Sequence, residues 1–208
     1  MRLRNMKNKK EILESSKNVI KDPSNLKGSW NKEFGNDNDI HLEIGTGRCN
    51  FIIGKALRYK DINFVGIERI DTVIAQGVKK INEYIPNLRL INYDANLLCD
   101  LFDKEISTIY LNFSDPWPKD RHAKRRLTNK RFLDIYKNIF KGTNKIVMKT
   151  DNKDFFDYSL SELKDYGYTI KKISLDLQKE EKNDNIITEY EEKFMGNGCK
   201  IYMLIAEK

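Results

Sequence analysis

The chain has 208 residues, of which 39% are hydrophobic, so it can enclose one substantial core and we expect a single domain over residues 1–208. Its formal net charge of +7 favours a polyanionic partner such as nucleic acid, because neutralising phosphates releases condensed counterions, although an even scatter of lysines would give the same charge. Cys49, Cys99 and Cys199 are odd in number and lack metal-ligand spacing, which argues against disulfides and zinc and favours a reducing cytoplasm.

Neither end of the sequence shows a targeting or membrane segment. Five basic residues occur within the first ten positions without a following apolar stretch, and the longest apolar run near the end, Ile201–Ala206, is too short to span a bilayer. We therefore predict that residues 1–28 form a basic, partly helical extension and that the protein is neither secreted nor embedded in a membrane.

Short β-branched runs alternate with amphipathic patterns, which is typical of an α/β fold. In chain order the predicted strands are Ile40–Ile44, Ile62–Ile67, Leu88–Asn92, Thr108–Phe113, Lys145–Lys149, Thr169–Leu175 and Ile201–Ala206. The predicted helices are Asn50–Arg58, Asp71–Tyr84, Asn96–Leu101, Asn129–Phe140 and Lys153–Tyr166. No helix is obvious between the last two strands, which indicates a doubly wound, Rossmann-like, mostly parallel sheet of seven strands with a C-terminal antiparallel hairpin.

The first predicted strand leads into a Gly-x-Gly turn at the edge of the sheet where open α/β sheets bind ligands. Gly45 and Gly47 would let a ligand approach the backbone closely, although such a turn can also be only a tight connection. A dinucleotide fingerprint would need glycine at position 50, which is Asn50. The methyltransferase pattern Glu-x-Gly-x-Gly-x-Gly starts at Glu43 and is kept except at its last glycine, where Cys49 stands.

The second and third predicted strands end near acidic residues. Glu68 lies 23 residues after Gly45, close to the ~20 expected for a carboxylate that binds ribose hydroxyls, with a solvated strand-end charge as the alternative. Asp94, followed by Ala95, could accept a hydrogen bond from an adenine amino group, cap the next helix, or do both. Glu68 and Asp94 are therefore predicted to contact a cofactor that contains a nucleoside.

A proline-stiffened loop, Ser114-Asp115-Pro116-Trp117-Pro118-Lys119, follows the fourth predicted strand. Amino-group methyltransferases carry an Asn-Pro-Pro-aromatic loop at this place, whereas here an acid stands first. An acid suits guanine N7, whose lone pair can attack a sulfonium methyl group without loss of a proton, so catalysis is mostly positioning. We predict that Asp115 is catalytic: it would orient guanine and stabilise the positive charge that moves onto the base, unless the loop is only a turn.

A dense basic segment follows this loop. Since phosphate contact is the usual role of such a patch, we predict RNA contacts by Arg121, His122, Lys124, Arg125 and Arg126. A solvated helix face is the alternative interpretation of the same residues. His122 is expected to belong to this surface and not to act as a base or a metal ligand.

These motifs, together with Lys149-Thr150-Asp151-Asn152 and Thr188-Glu189-Tyr190-Glu191, resemble the bacterial tRNA guanine-N7 methyltransferase family over nearly the whole chain. The resemblance implies a class I methyltransferase fold that uses S-adenosyl-L-methionine and no metal, and releases S-adenosyl-L-homocysteine. It further implies that the methyl group goes to N7 of guanine 46 in the tRNA variable loop. tRNA would be the partner, with no obligate protein partner, and the chain would act as a monomer or a homodimer.

The resemblance also assigns roles to individual residues. Those implied to contact the cofactor are Glu43, Gly45, Gly47, Glu68, Asp94, Ala95 and Asp115. Those implied to contact guanine or tRNA are Lys119, Asp151, Thr188, Glu189, Tyr190 and Glu191, and residues 121–126 would touch RNA. Residues 188–191 could fold over the site when substrate arrives, although they could also form the edge of a surface strand.

Two other functions are compatible with parts of this sequence. The first is an amino-nitrogen methyltransferase that acts on RNA, against which the acid before Pro116 argues. The second is a non-catalytic RNA-binding module with a degenerate cofactor turn, which the departure at Cys49 would permit. Binding of S-adenosyl-L-methionine would discriminate between the module and the two enzymes.

Overall fold

The structure is a computed structural model, and it describes residues 6–180, 185–195 and 199–208. Within these ranges the strands are β1 (Ile40–Ile44), β2 (Asn63–Glu68), β3 (Leu88–Asn92), β4 (Ile106–Asn112), β5 (Phe140–Thr150), β6 (Thr169–Ser174) and β7 (Tyr202–Glu207). The α-helices are α1 (Lys9–Ser15), α2 (Trp30–Phe34), α3 (Asn50–Arg58), α4 (Asp71–Val78), α5 (Lys130–Ile139), α6 (Lys153–Asp165), α7 (Leu177–Glu180) and α8 (Glu189–Met195). Short 3-10 helices occupy Pro23–Leu26, Ala95–Asp100 and Asp120–Arg125.

All seven strands form one sheet in the order β3-β2-β1-β4-β5-β7-β6. The first five strands in sequence pair in parallel, and β7 runs antiparallel between β5 and β6. The predicted doubly wound, Rossmann-like sheet with a C-terminal antiparallel hairpin is therefore confirmed. The strand order reverses beside β1 and β4, which is where such sheets bind ligands.

The sheet is covered on both faces, as parallel strands require. One face packs against Trp30, Phe132, Tyr136 and Phe155, and the other against Phe51 and Ile74. Side chains of successive strand residues alternate between these layers, so Leu111 joins the first cluster while Tyr110 joins the second. Both faces of the parallel strands are thus buried, and ligands of such sheets bind at the carboxyl ends of these strands.

Several predictions about the elements need correction. β5 begins at Phe140, five residues before the predicted Lys145, and so includes the last residue of the predicted helix Asn129–Phe140. The predicted helix Asp71–Tyr84 ends at Val78, because Asn18 hydrogen-bonds both the backbone N–H and the carbonyl of Ile85 and holds the following chain in an irregular course. The predicted helix Asn96–Leu101 is a 3-10 helix with a kink at Leu97. The expectation of no helix between the last two strands was also wrong, since α7 and α8 lie there.

The N-terminal extension packs along one edge of the sheet. Leu90 N donates to Asn18 O at 2.7 Å and Ile20 N donates to Leu90 O at 3.0 Å, so this stretch continues the sheet beyond β3. α1 packs on α4, and Lys9 forms an ion pair with Asp71 at 2.8 Å. In the ranges given above, no helix combines the length and the apolar character needed to cross a membrane.

Candidate active site

The turn between β1 and α3 is built on left-handed backbone. Gly45 (φ 76°) and Gly47 (φ 55°) adopt positive φ at no steric cost, and Gly45 N donates to Ile67 O at 2.8 Å. Cys49, where the motif would have its last glycine, also adopts positive φ (63°), which is uncommon for a residue with a Cβ. The turn is thus kept despite the substitution.

Cys49 is completely buried and fills the space opposite Gly77 of α4. A Cβ added at Gly77 would lie 2.5 Å from Cys49 Sγ and 2.7 Å from the carbonyl carbon of Arg48. Any larger residue at position 77 would therefore push α4 away from the turn. The bulk that Cys49 adds to the turn is accommodated by the missing side chain at Gly77.

Glu68 braces this turn from the end of β2. Its Oε2 accepts from Gly47 N at 3.1 Å and its Oε1 accepts from Ile70 N at 2.9 Å. Asp94 caps the next 3-10 helix by accepting from Asn96 N at 2.8 Å, so the capping interpretation of Asp94 is confirmed. Both carboxylates remain partly exposed and border a cavity of about 630 Å³, together with Ala95.

A second cavity of about 240 Å³ lies on the other side of the turn, with Gly45 and Phe113 lining both cavities. Glu43 and Asn112 form its buried wall, and Asn112 Nδ2 donates to Glu43 Oε1 at 2.7 Å. Burial raises the pKa of Glu43 from 4.5 to about 7. Glu43 Oε2 and Asn112 Oδ1 are buried acceptors without a hydrogen-bond partner in the described structure, which suits a ligand that donates hydrogen bonds, such as an ammonium group.

The Pro-Trp-Pro loop, residues 113–119, has positive φ at Phe113 (51°) and Trp117 (42°). Such backbone persists only when the surrounding structure holds it. Arg126 supplies part of that support, since its Nε donates to Pro116 O and its Nη2 donates to Trp117 O, each at 3.0 Å. Its guanidinium group is buried and lies 4.2 Å from the ring centroid of Tyr158. The RNA contact predicted for Arg126 is therefore corrected, because this side chain supports the loop from inside.

The other residues of the predicted RNA surface face outward or lie at the edge of the loop. Arg121, Lys124 and Arg125 are exposed on the 3-10 helix that starts at Asp120, and Lys119 is exposed just before it. Arg125 lies 4.7 Å above the ring of Trp117, and His122 meets the same ring edge-on at 5.7 Å. Arg125 and His122 thus pack against the ring of Trp117, and the exposed Asp115 lies two residues before it in the same loop.

Residues 185–191, which we call the 185–191 segment, comprise the chain just before α8 and the first three residues of α8. This segment closes one side of the smaller cavity. Thr188 and Glu191 form a reciprocal pair, in which Thr188 N donates to Glu191 Oε2 at 2.8 Å and Glu191 N donates to Thr188 Oγ1 at 3.0 Å. This is a capping box at a helix start, so the surface-strand interpretation was wrong. The substrate contact predicted for Glu191 is corrected as well, because its side chain is only 1% exposed and bonded within the protein.

Glu189, Tyr190 and Thr188 line the smaller cavity. The Tyr190 ring packs on Phe113 with centroids 4.9 Å apart, and Glu189 pairs with Arg48 at 3.4 Å and with Lys80. Burial, and then the negative charges of Asp151 and Asp115, raise the pKa of Tyr190. The fold thus brings residues from three distant motifs, after β4, after β5 and at α8, to one place.

Two residues of this site were not singled out from the sequence. Asn112 and Lys149 are both buried, are partners in the pairing of β4 with β5, and each directly follows three buried apolar or aromatic residues of its strand. A polar residue within a buried strand run is the signal that could have identified them, because such groups need partners. The Thr188-x-x-Glu191 spacing was likewise visible as a capping-box pattern.

Comparison with known proteins agrees with this geometry. A family model described as "Putative methyltransferase" matches residues 37–204. Two solved structures share the fold. An antibiotic-related methyltransferase has a TM-score of 0.63 and 18% identity, and the match covers 87% of this chain and 92% of that one. A 16S rRNA methyltransferase has a TM-score of 0.66 and 10% identity, and the match covers 86% of this chain and 92% of that one. At these identities the likeness concerns the fold alone.

Curated relatives are much more similar in sequence. A tRNA (guanine-N(7)-)-methyltransferase of Bacillus licheniformis is 48% identical over 198 residues, which is 94% of this chain and 93% of the relative. A protein of the same description from Listeria monocytogenes serovar 1/2a is 50% identical, and the match covers 90% of this chain and 89% of the relative. One from an Exiguobacterium species is 46% identical, and the match covers 99% of this chain and 97% of the relative. The chain therefore belongs to the tRNA (guanine-N(7)-)-methyltransferase family.

Proposed function

We propose that the protein transfers the methyl group of S-adenosyl-L-methionine to N7 of a guanine in tRNA, guanine 46 of the variable loop. The observation that carries the proposal, within this family, is that two cavities meet at Gly45 and Phe113, beside the Asp115 loop. The larger cavity has acidic residues suited to a nucleoside, and Asp115 also lines it. The smaller cavity has buried acceptors suited to an ammonium group, next to the ring of Tyr190. The chemistry would occur where they meet.

The residues present fit the proposed cofactor. The larger cavity offers Glu68 for the ribose hydroxyls and Asp94 with Ala95 for the adenine. The unpartnered oxygens of Glu43 and Asn112 suit the positively charged amino group of the amino-acid part. When bound, S-adenosyl-L-methionine supplies an electrophilic methyl group on a sulfonium.

The chain's own part in the reaction is to hold and orient the guanine. The lone pair of N7 would accept the methyl group and no proton would leave the base, so no residue of the chain would have to act as a general base. Asp115, exposed next to the meeting point, would accept from the guanine N1–H and amino group and stabilise the positive charge that develops on the ring. Tyr190 would contribute an aromatic face, and Asp151, whose negative charge acts on Tyr190, would contribute a second acceptor.

The exposed basic residues beside Trp117 would hold the tRNA backbone. Arg121, Lys124 and Arg125 project from one 3-10 helix that begins directly after Lys119. Because phosphate contacts position a nucleic acid without reading its bases, this surface would orient the tRNA and leave recognition of guanine to the cavity. A protein that methylates tRNA would act in the cytoplasm.

The two alternative functions fit less well. Asp115 places a negative charge where the Asn-Pro-Pro-aromatic loop has a neutral amide, which argues against amino-nitrogen transfer. The complete cofactor turn, with Cys49 accommodated opposite Gly77, argues against a non-catalytic module.

A labelling experiment tests the proposal. The protein is incubated with methyl-labelled S-adenosyl-L-methionine and unmodified tRNA, and the labelled nucleoside is identified after digestion. We expect label in N7-methylguanosine, and none in a matched tRNA with adenine at position 46. Label in an amino-methylated nucleoside would favour the rival enzyme, and binding of tRNA without cofactor would favour the module.

A further inference from the structure

Lys149, near the end of β5, carries a buried charge that the proposed reaction does not use. Its side chain is 5% exposed, and its Nζ lies 3.4 Å from Oε2 of Glu191, whose side chain is 1% exposed. Removing a charge from water costs free energy that only a close partner and further hydrogen bonds can offset. Lys149 and Glu191 are therefore stable in the interior only while they stay together.

Glu191 is held by three donors from different places. Besides Lys149, the Thr188 N–H donates to its Oε2 at 2.8 Å, and Asn185 Nδ2 donates to its Oε1 at 2.8 Å. Lys149 in turn also donates to Asn185 Oδ1 and to Ile186 O, the latter at 3.4 Å. The ammonium group of one β5 residue thus contacts the 185–191 segment at three of its residues.

This network determines where the neighbouring side chains lie. The capping box fixes the direction in which α8 starts, and the ion pair fixes that start against the sheet. Glu189 and Tyr190, between the two capping residues, consequently border the smaller cavity, with Tyr190 on Phe113. A shift of this segment would move the aromatic face away from Asp115 and Asp151.

We propose that Lys149 is a positioning residue for the substrate guanine, acting through its buried ion pair with Glu191, which anchors the 185–191 segment to β5. The inference rests on the proposed function, because it names guanine as the group that this segment receives. Lys149 itself touches neither substrate nor cofactor in this account.

The charge of Lys149 also acts on Glu43, a residue proposed to bind the cofactor. An effect of Lys149 on guanine positioning can be separated from an effect on cofactor binding. Asn112, its partner in the pairing with β4, is bonded to Glu43 at 2.7 Å, and the positive charge of Lys149 opposes the rise in the pKa of Glu43. Hydrogen bonds therefore connect Lys149 to the 185–191 segment, which would receive guanine, and its charge acts on Glu43, which would bind the cofactor. Loss of Lys149 should affect the use of tRNA more than the binding of cofactor.

The test compares Lys149→Met with Lys145→Met. Lys145 is on the same strand and also pairs with a carboxylate, Glu207 at 3.6 Å, but is 40% exposed and remote from both cavities. We expect Lys149→Met to lower kcat/KM for tRNA by about tenfold or more, and the control to leave it unchanged. The Kd for S-adenosyl-L-methionine, measured by calorimetry near pH 8, should stay within about threefold in both variants.

Hydrogen exchange gives a measurement that does not depend on activity. The Thr188 and Glu191 amides are bonded within the capping box, so their exchange should become about tenfold faster or more in Lys149→Met and not in Lys145→Met. If the wild-type protein transferred no methyl group to tRNA, the proposed function would fail, and equal exchange in Lys149→Met and wild type would separately overturn the anchor.

A second variant covers the case in which Lys149→Met folds poorly with Glu191 left unpaired. Lys149→Met with Glu191→Gln removes both charges and keeps a side chain that can complete the capping box. We expect this variant to recover the thermal stability of the wild type but not its kcat/KM for tRNA. Recovery of both would show that the pair serves stability only, and a loss of cofactor affinity equal to the loss in kcat/KM would assign Lys149 to the cofactor side; either result overturns the inference.

Discussion

The Pro-Trp-Pro loop and the 185–191 segment both border the site and meet where Phe113 packs on Tyr190, and a buried cation contacts each of them. Arg126 bonds to the backbone carbonyls of Pro116 and Trp117, whereas Lys149 pairs with the carboxylate of Glu191. A guanidinium group on carbonyl oxygens needs no ionised partner, while an ammonium–carboxylate pair holds only when both groups are charged. The loop is thus supported by neutral dipoles and the segment by charge, so the two should respond differently to mutation.

The largest expected effect tests whether the loop carries the chemistry. Asp115→Asn keeps the shape but removes the negative charge and turns one acceptor into a donor. The rate of methyl transfer should therefore fall by roughly 10²–10³, measured in single turnover with saturating tRNA and cofactor. Asp120→Asn, an exposed acid of the same loop region, is the matched control and should be near wild type. A rate within a few-fold of wild type for Asp115→Asn would make Asp115 a turn residue.

The next prediction concerns how the free energy of unfolding depends on pH through Glu43. Because burial raises the pKa of Glu43 to about 7 from 4.5, the folded protein holds this proton more tightly than the unfolded chain. Its contribution to stability is therefore complete below about pH 4.5 and is lost as the pH rises through about 7, a change on the order of 3 kcal/mol.

Chemical unfolding at several pH values checks this expectation. In cofactor-free protein, the free energy of unfolding of wild type relative to Glu43→Gln should fall between pH 5 and pH 7. A constant difference over that range would show that Glu43 does not titrate there. The cofactor's ammonium group would favour the ionised carboxylate, so cofactor affinity should rise with pH over the same window in wild type and not in the variant.

A third prediction separates two adjacent arginines. Arg126→Ala leaves the carbonyls of Pro116 and Trp117 without their donor, which should lower the free energy of unfolding by about 1–3 kcal/mol, equally at pH 5 and pH 8. Arg125→Ala should leave stability unchanged and instead weaken tRNA binding, with the slope of log K against log salt reduced by about one. The interpretation fails if the two variants exchange these phenotypes.

The smallest effect is expected for the partly exposed ion pairs of Glu189. Its partners Arg48 and Lys80 are 38% and 37% exposed, so Glu189→Gln should cost at most about 1 kcal/mol of stability. Thermal unfolding at low and high salt is the measurement, since the difference from wild type should shrink as salt screens these pairs. A loss as large as that of Arg126→Ala would place the main support of the 185–191 segment here instead of at Lys149.

The parts of the site that depend on local sequence were predictable. The Gly-x-Gly turn follows from residues that tolerate positive φ, and the carboxyl ends of β1 to β4 were located by their apolar runs, so Glu43, Glu68 and Asp94 were correctly expected at one edge of the sheet. The inward orientation of Arg126 was not predictable, because it depends on Tyr158, which is 32 residues away in sequence and lies on α6. The same holds for Lys149, whose carboxylate partner lies 42 residues further along the chain.

The early end of α4 has the same kind of cause. The apolar spacing up to Ile85 favours a longer helix, but Asn18 of the N-terminal extension bonds the Ile85 backbone and stops it. Residues that act through distant backbone groups leave no periodic signal near the place that they change.

The N-terminal extension has a consequence for how copies of this protein behave toward one another. An uncovered strand edge is a template for pairing with another chain, and residues 18–20 occupy that place beside β3. At the opposite border of the sheet, β6 presents the exposed Lys171 and Lys172, and charged side chains on an edge strand disfavour pairing with another chain. Both borders are thus guarded against edge-to-edge aggregation, one by a covering segment and the other by charge, so a chain shortened beyond Ile20 would be expected to self-associate through β3.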